Sequence, residues 1–270
     1  MNYQTFQPHP DLSPLVNYYW TLEVPFDPNN QKQKIIPDGC IEMTFNFKDK
    51  IKRYTSETEY ILHPDAMIMG QRTKSFLIEP TGDVDTFAIC FYPYGFTNFV
   101  NVPLAQLADT ELPIETLFGE ATGKELAKKM TAATSTQERI QIIEAFLLAQ
   151  LKQHATIENL VKTTVDSLLA TNGSHSIREI LKNDLSKRRQ LERNFKKQIG
   201  ISPKQLGKVL RLQTALKIML SDKENLTNVA YESEYFDQAH FIKDFKEFIG
   251  TTPKEFLGDE SMALSSLFYK

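Results

Sequence analysis

Apolar and polar residues alternate in several short stretches of the N-terminal part of the chain. Every second residue of 41–47 is apolar, which is the period of a strand with one buried face. Residues 87–92 are continuously apolar, which indicates a strand buried on both faces. Shorter strand-like runs at 60–62, 67–70 and 75–79 are separated by turn-forming residues. The pattern predicts a small β-sandwich or barrel over residues 1–103.

The period changes to that of helices after residue 103. Ser135 and Glu138 have the spacing of a capping box, and apolar residues then recur every three or four positions to residue 169. We expect a helical connector over 104–172 that either contacts a second copy of the chain or packs against the β domain. The turn-rich residues 171–174 then form the interdomain linker, and the tail 258–270 is predicted to be irregular.

Two segments near the C-terminus repeat each other at an interval of fifty residues. LERNFKKQIGISPKQL at 191–206 and FIKDFKEFIGTTPKEF at 241–256 share six identities over sixteen positions. In both copies an apolar residue recurs every four positions, and the run ends at glycine and restarts at proline. With the looser match upstream, each copy predicts a short helix, a tight turn and a longer second helix. The pattern indicates two helix-turn-helix units within residues 173–257, joined by a helix with an apolar stripe at 203–220.

This duplication closely resembles the DNA-binding domain of the AraC/XylS family of bacterial transcription regulators. Three N-terminal segments, 37–40, 70–72 and 92–95, are similar to an uncharacterised cupin-like domain of some family members. The fold class expected is therefore α+β, a β-sandwich or cupin-like barrel followed by an all-α double helix-turn-helix domain. The resemblance implies a sequence-specific regulator, with promoter DNA, RNA polymerase, a small-molecule effector and a homodimer as candidate partners. It is carried by Leu191, Arg193, Phe195, Gly200, Ser202, Pro203, the 211–215 stretch, Asn228, Val229, Ala230, Tyr235, Asp237, Gln238, Phe241, Phe245, Lys246, Gly250, Thr252 and Pro253.

Charge is distributed unevenly along the chain. The net charge of −3 divides into 16 basic and 11 acidic residues within 174–257, a balance of +5, and 15 and 23 elsewhere, a balance of −8. Within the basic module, residues 174–200 hold eight basic and three acidic residues, whereas 222–250 hold three and seven. We therefore expect the first unit to bind phosphate better than the second.

In the first unit, Leu191, Phe195 and Ile199 recur every four residues and are predicted to face the core. Arginine and glutamine at the N-terminal end of a recognition helix can contact base edges, and lysines at the far end can reach phosphates. Glu192 either restrains Arg189 or accepts a hydrogen bond from a cytosine amino group. The predicted DNA-contacting residues are Arg188, Arg189, Gln190, Glu192, Arg193, Lys196 and Lys197.

The helix ends and the turn of this unit are also predicted. Ser174 or Ser176 is expected to cap the first helix, Asn183 and Asp184 to form the turn, and Ser186 to cap the second helix.

The second unit departs from the family pattern. Glu234 stands where the family usually has glycine in the turn, so a positive φ there would be strained. Asp237 is the expected N-cap of the second helix. By resemblance, the base-facing residues are Gln238, Ala239, Ile242 and Lys243. We expect the acids Glu232, Glu234, Asp244 and Glu247 to weaken the attraction of this unit for phosphate.

The residue types and motifs of the whole chain argue against several classes of protein. Five scattered histidines (His9, His63, His154, His175 and His240) offer no cupin metal-ligand set, and the two cysteines, expected to be buried core thiols, lack zinc-ligand or disulfide-framework spacing. No catalytic or nucleotide-binding motif occurs, so neither an enzyme nor a cofactor is expected. The chain has no long apolar run and no signal-peptide pattern, so we expect a cytoplasmic protein.

Five polar residues of the N-terminal domain are candidates for lining a ligand pocket. Alternatively, four of them are ordinary polar groups on strand surfaces and the fifth is a packed tyrosine. They are Glu42, Gln71, Arg72, Glu79 and Tyr92.

The main alternative to a regulator is a ligand- or partner-binding protein whose helix-turn-helix module no longer recognises DNA. The acidic second unit is the feature that favours this alternative.

Overall fold

The computed structural model describes residues 1–29, 32–151, 157–182, 184–221, 225–259 and 261. Its N-terminal part consists of two antiparallel sheets, and its C-terminal part is helical, so the predicted fold class is confirmed. The six-stranded sheet has the order β1 (Asn2–Phe6), β2 (Val16–Val24), β9 (Val84–Phe91), β4 (Ile41–Asn46), β7 (Ala66–Met69) and β10 (Glu111–Pro113). The four-stranded sheet has the order β3 (Gln33–Ile35), β8 (Phe76–Pro80), β5 (Ile51–Tyr54) and β6 (Tyr60–Leu62).

Two apolar clusters lie on opposite faces of the six-stranded sheet. The central strand β9 contributes to both, because successive side chains point to opposite faces: Phe87 and Ile89 lie in one cluster, and Ala88 and Cys90 in the other. The predicted burial of this strand on both faces is therefore confirmed. The cluster on the second face also contains residues of β5 and β8, so it lies between the two sheets.

Three helices cover the outer face of the six-stranded sheet: α1 (Ile114–Phe118), α2 (Glu120–Ala132) and α3 (Thr136–Gln150). Ser135 caps α3 by accepting from the backbone N–H of Glu138 at 3.2 Å. The buried residues of α3 share one cluster with the sheet, so this part of the connector packs against the β domain. The expectation that the connector 104–172 is helical is wrong at β10, which pairs with β7 and extends the sheet into that segment.

The remaining helices form the C-terminal part. They are α4 (Asn159–Ala170), α5 (Ile177–Ile180), α6 (Arg188–Ile199), α7 (Pro203–Ser221), α8 (Leu226–Glu232), α9 (Gln238–Ile249) and α10 (Pro253–Phe256). Helix α7 lies between the two repeated units, because its residues enter the core of α4, α5 and α6 as well as the core of α8, α9 and α10. None of these described helices is both long and apolar enough to cross a membrane.

Helices α7 and α9 also contact the β domain directly. The side-chain amide of Gln213 on α7 donates to the carbonyl of Pro37 at 2.6 Å. Ser75 donates from its backbone N–H to Phe248 at 2.7 Å and from its hydroxyl to Ile249 at 3.0 Å, both carbonyls at the end of α9. Most of the predicted tail, 258–270, lies outside the described residues.

A candidate DNA interface and a cavity between the sheets

Helix α6 is divided lengthwise into an apolar and a basic face. Leu191, Phe195 and Ile199 are fully buried, as the four-residue period predicts. Glu192 is half-buried. The other six predicted DNA-contacting residues of this unit are exposed: Arg188, Arg189, Gln190, Arg193, Lys196 and Lys197. At 3.6 residues per turn, Arg189, Gln190, Arg193, Lys196 and Lys197 lie on the side of the helix opposite the buried residues, and we call these five the α6 basic face. Arg188 lies on the side of Phe195 and is exposed at the first residue of the helix.

The turn before α6 is held by side-chain caps. Ser176 caps α5 in a reciprocal capping box with Glu179, which selects it over Ser174. Asp184 accepts from the backbone N–H of Ser186 at 3.3 Å and caps a 3₁₀ turn at Leu185–Lys187. The prediction that Ser186 caps α6 is wrong, because its hydroxyl instead donates to Asp184 at 2.5 Å. Asn183 lies outside the described residues.

Helix α9 occupies the equivalent place in the second unit. Asp237 caps it by accepting from the backbone N–H of His240 at 2.7 Å, as predicted. Ala239 and Lys243 are exposed, but Gln238 and Ile242 are half-buried, because Ile242 packs against the apolar cluster and Gln238 bonds to Thr227. The surface that this helix leaves to solvent therefore holds fewer polar side chains than the α6 basic face.

The turn before α9 has the predicted strain. Glu234 adopts a φ of +60°, in the left-handed region that favours glycine. The aromatic residues around this turn differ in their exposure to solvent. Tyr235 is buried in the core, whereas Tyr231 is 83% exposed and Phe236 93% exposed.

Two of the acids expected to repel DNA are engaged elsewhere. Asp244 is only 2% exposed and pairs with the ammonium of Lys208 on α7 at 2.9 Å. Glu247 pairs with the same ammonium, also at 2.9 Å. Asp244 is therefore turned toward α7 and away from the outer surface, whereas Glu247 pairs with Lys208 from an exposed position. Glu232 and Glu234 are exposed.

A cavity of about 760 Å³ lies between the two sheets. Its walls are mainly apolar and come from both sheets. Helix α7 closes part of it, with Leu210, Gln213 and Lys217 in the lining. Since α7 connects the two helix-turn-helix units, the cavity and the helical module share a wall.

The structure places only two of the five predicted pocket residues, Glu42 and Tyr92, in the lining of this cavity. Arg72 lies behind it, paired with the Glu111 carboxylate and with its guanidinium 4.6 Å from the centre of the Phe76 ring. Gln71 is fully buried and donates to the carbonyl of Gly39 at 2.7 Å. Glu79 pairs with Lys52 at 3.1 Å and accepts a hydrogen bond from Tyr54.

Acidic and aromatic side chains meet at one end of the cavity. The lining there includes Asp38 and Glu42, which the strand pattern did not bring together, and the rings of Tyr3, Tyr18 and Trp20. The indole N–H of Trp20 donates to Glu42 at 2.9 Å. Burial raises the pKa of both carboxyls above their ordinary values, and the charge of Asp38 raises that of Glu42 further. We call this group the acidic end of the cavity.

Both cysteines lie at this acidic end. Cys90 is buried as predicted, whereas Cys40 is half-buried and lines the cavity. The prediction that both are core thiols is thus wrong for Cys40. A hydrogen bond with Cys90, together with burial, holds the pKa of the Cys40 thiol well above its ordinary value. Among the residues that the structure describes, Asp38, Cys40 and Cys90 form a group with ligand atoms within 4.8 Å of one another, which is close enough for a metal ion.

Comparison with protein families identifies two regions. Residues 186–259 match a family model described as a helix-turn-helix domain. The C-terminal region is an AraC-type helix-turn-helix domain. This AraC-type domain contains α6, α7 and α9, so the α6 basic face lies within it. Residues 4–113 match a domain of unknown function, DUF6597, which includes β10. No curated protein matches the chain.

Solved structures similar to this one include several of ToxT from Vibrio cholerae. One, at 1.65 Å resolution, is 11% identical with a TM-score of 0.49, and the match covers 91% of this chain and 99% of that one. A second, bound to (E)-4-(8-methylnaphthalen-1-yl)but-3-enoic acid, has the same identity and TM-score with 96% and 99% covered. A third, bound to an unsaturated fatty acid, is 12% identical with a TM-score of 0.46 and covers 88% and 93%. These values describe a distant resemblance and nothing finer.

Proposed function

We propose that this regulator binds promoter DNA mainly through the α6 basic face and that a ligand in the N-terminal cavity controls the binding. The observation that supports DNA contact is the division of α6 within an AraC-type domain. Its apolar face is fully buried, while six basic or amide side chains remain on the surface. A helix that is amphipathic in this way can enter the major groove without uncovering the core.

The order of side chains along α6 supports separate roles for its two ends. Arg189, Gln190 and Arg193 lie toward the N-terminal end, where side chains can reach base edges. Lys196 and Lys197 lie in the last turn, where they are placed for phosphates. Arg188 is the first residue of the helix, and Glu192 is half-buried. We therefore assign both residues to supporting contacts.

The second unit is proposed to make a weaker and more selective contact. Lys243 occupies the position equivalent to Arg193 and is exposed. Gln238 can accept or donate at an adenine edge, and Ala239 and Ile242 can contact a thymine methyl group. This unit supplies fewer cations, so its contribution depends more on the adjacent DNA sequence than on charge. RNA polymerase and a second copy of the chain are partners that the family resemblance alone suggests.

Ligand control is supported by the wall that the cavity shares with α7. Gln213 lines the cavity and bonds to Pro37, the residue before Asp38, so a molecule at the acidic end lies next to this contact. A ligand that binds one arrangement of this contact more tightly than another will shift the position of α7. The shift changes how α6 and α9 are presented to DNA.

The test is DNA binding by the full-length protein across a salt series, with a duplex from the promoter that the protein regulates. For five or more phosphate contacts we expect log affinity to fall against log salt with a slope of about −4.5 or steeper. Lys197→Ala should make this slope less negative by about 1, whereas Lys128→Ala, an exposed lysine on α2, should leave it unchanged. A salt-independent affinity, or no binding at low salt, would favour the alternative of a module that no longer recognises DNA.

A further inference from the structure

The acidic end of the cavity has the composition of a site for an organic cation. Asp38 and Glu42 form no ion pair with any residue that the structure describes. Arg72 is the cation whose charge acts on both, but its guanidinium is already paired with Glu111. Two carboxyls are therefore enclosed without a cation of their own, which is costly unless a proton or a bound charge compensates them.

Aromatic rings surround these carboxyls. Tyr3 and Trp20 lie with their ring centres 6.1 Å apart, and Tyr18 lines the same end of the cavity. The faces of such rings attract an ammonium group, most strongly where water is excluded. A carboxylate beside several aromatic rings is a combination that binds alkylammonium groups well. The cationic side chain in the lining is Lys217 on α7, an exposed residue, so the acidic end itself favours a positive charge.

A third observation comes from β4. Side chains alternate along this strand, so Glu42 and Thr44 both face the cavity while Met43 faces the other core. The hydroxyl of Thr44 is buried, with 3% of the residue exposed, and has no hydrogen-bond partner within the described part of the chain. An orphaned buried hydroxyl costs free energy, and a polar group of a ligand beside Glu42 would satisfy it.

We infer that the cavity binds an amphipathic organic cation, with its ammonium group beside Asp38 and Glu42 and its apolar body between the two sheets. This inference rests on the proposed ligand control and names the class of ligand. The apolar walls select an alkyl or aromatic body, since Trp20, Leu22, Ile51, Phe76 and Ile78 all line the space. A fatty carboxylate would place its charge against two carboxyls, and a sugar would leave most of its hydroxyls facing apolar walls.

The test compares three probes that share a ten-carbon chain: decyltrimethylammonium, decan-1-ol and decanoate, each below its micellar concentration. Trp20 is the single tryptophan of the chain and lines the cavity, so its emission reports binding at this site. We expect the cation to bind the full-length protein at least about ten-fold more tightly than the alcohol, and decanoate more weakly than the alcohol. Decanoate that binds as tightly as the cation would overturn the inference.

Two isosteric variants assign the selectivity to the carboxyls. Glu42→Gln keeps an acceptor for Trp20 but removes the charge, and we expect it to cut the preference for the cation over the alcohol about ten-fold. Asp38→Asn should act in the same direction, and Glu23→Gln, an exposed carboxylate on β2, should have no effect. If Asp38→Asn does not fold, Glu42→Gln alone decides, and an unchanged preference in that variant would overturn the inference. One-to-one Zn²⁺ binding that excludes the cation would assign the acidic end to a metal instead.

The same samples separate this inference from the proposed function. Affinity for the promoter duplex is measured without any probe. Salt-dependent DNA binding combined with no cation preference would refute only the ligand class. Cation-selective binding in a protein that does not bind DNA would refute the regulator and leave the cavity site standing.

Discussion

The two repeated units keep the same core but differ in the surface around it. Phe195 and Phe245 are both fully buried at equivalent positions, and Gly200 and Gly250 end the two helices with positive φ. The next equivalent pair is Asn194 and Asp244, both buried and both polar. Asn194 donates to Glu158 on the connector side, whereas Asp244 pairs with Lys208 on α7. Duplication has thus preserved packing, while the polar contacts of each copy have become specific to its neighbours.

This difference explains why counting charges misjudges the second unit. Its sequence contains seven acids between residues 222 and 250, yet two of them pair with Lys208, and one of these two, Asp244, is buried. The shortage of cations on α9 is real, but the surplus of acids on its outer surface is smaller than the count suggests. The units therefore differ mainly in attraction for phosphate, and less in repulsion.

The largest effects are expected in the shared core. Phe195→Ala and Phe245→Ala should each reduce the free energy of unfolding by about 3–5 kcal/mol, because each removes a fully buried ring. Chemical denaturation measures the loss, and the exposed neighbours Lys196→Ala and Lys246→Ala serve as controls. A large loss in one unit only would show that the cores are not equivalent.

The buried ion pair of the second unit should give the next largest effect. Lys208→Met leaves buried Asp244 with only the His240 ring, 3.6 Å away, as a potential cation among the described residues, so we expect a loss of about 3 kcal/mol. Adding Asp244→Asn should recover most of this loss, because the uncompensated charge is then absent. Lys204→Met, one turn earlier on α7 and exposed, is the matched control. If Lys208→Met is tolerated as well as Lys204→Met, Asp244 is stabilised by something other than this pair.

DNA affinity gives the most direct comparison, because Arg193 and Lys243 occupy equivalent positions. If Arg193 contacts a base edge, Arg193→Ala should cost about 2 kcal/mol on the cognate site and relax preference at one base pair. Lys243→Ala should cost less than about 1 kcal/mol. Fluorescence anisotropy with a promoter duplex at one salt concentration measures both. Equal losses would mean that the two units engage DNA equally, against the proposal.

The smallest effect is expected at the strained turn. Glu234→Gly should stabilise the protein by up to about 1 kcal/mol, since glycine adopts the φ of +60° without steric cost. Glu232→Gly, at the last residue of α8, should instead destabilise it by a few tenths of a kcal/mol, less than the roughly 1 kcal/mol of a helix interior. A thermal melt distinguishes the two signs. Destabilisation by Glu234→Gly would show that the glutamate side chain contributes a contact that outweighs the strain.

Local signals account for what the sequence predicts correctly. The four-residue period locates the buried face of α6, and the Asp237 cap locates the start of α9, because each depends on residues close together in the chain. Such signals are weaker in the sheets, where no pattern brings Asp38, Glu42 and Cys90 to one end of a cavity. That arrangement depends on the pairing of β4 with β9 and on the second sheet, which are long-range contacts. The burial of Asp244 likewise depends on Lys208, a residue on another helix.

Helix α7 has a consequence for the exchange of domains between regulators. A recombination joint placed in the linker at 171–174 separates the β domain from Leu210, Gln213 and Lys217, which form part of its cavity wall. A chimera with the helical module of another regulator would inherit an open cavity unless the new helix supplied matching side chains. Under the proposed ligand control, the two halves are therefore expected to evolve together, and transplanting either half alone should uncouple them.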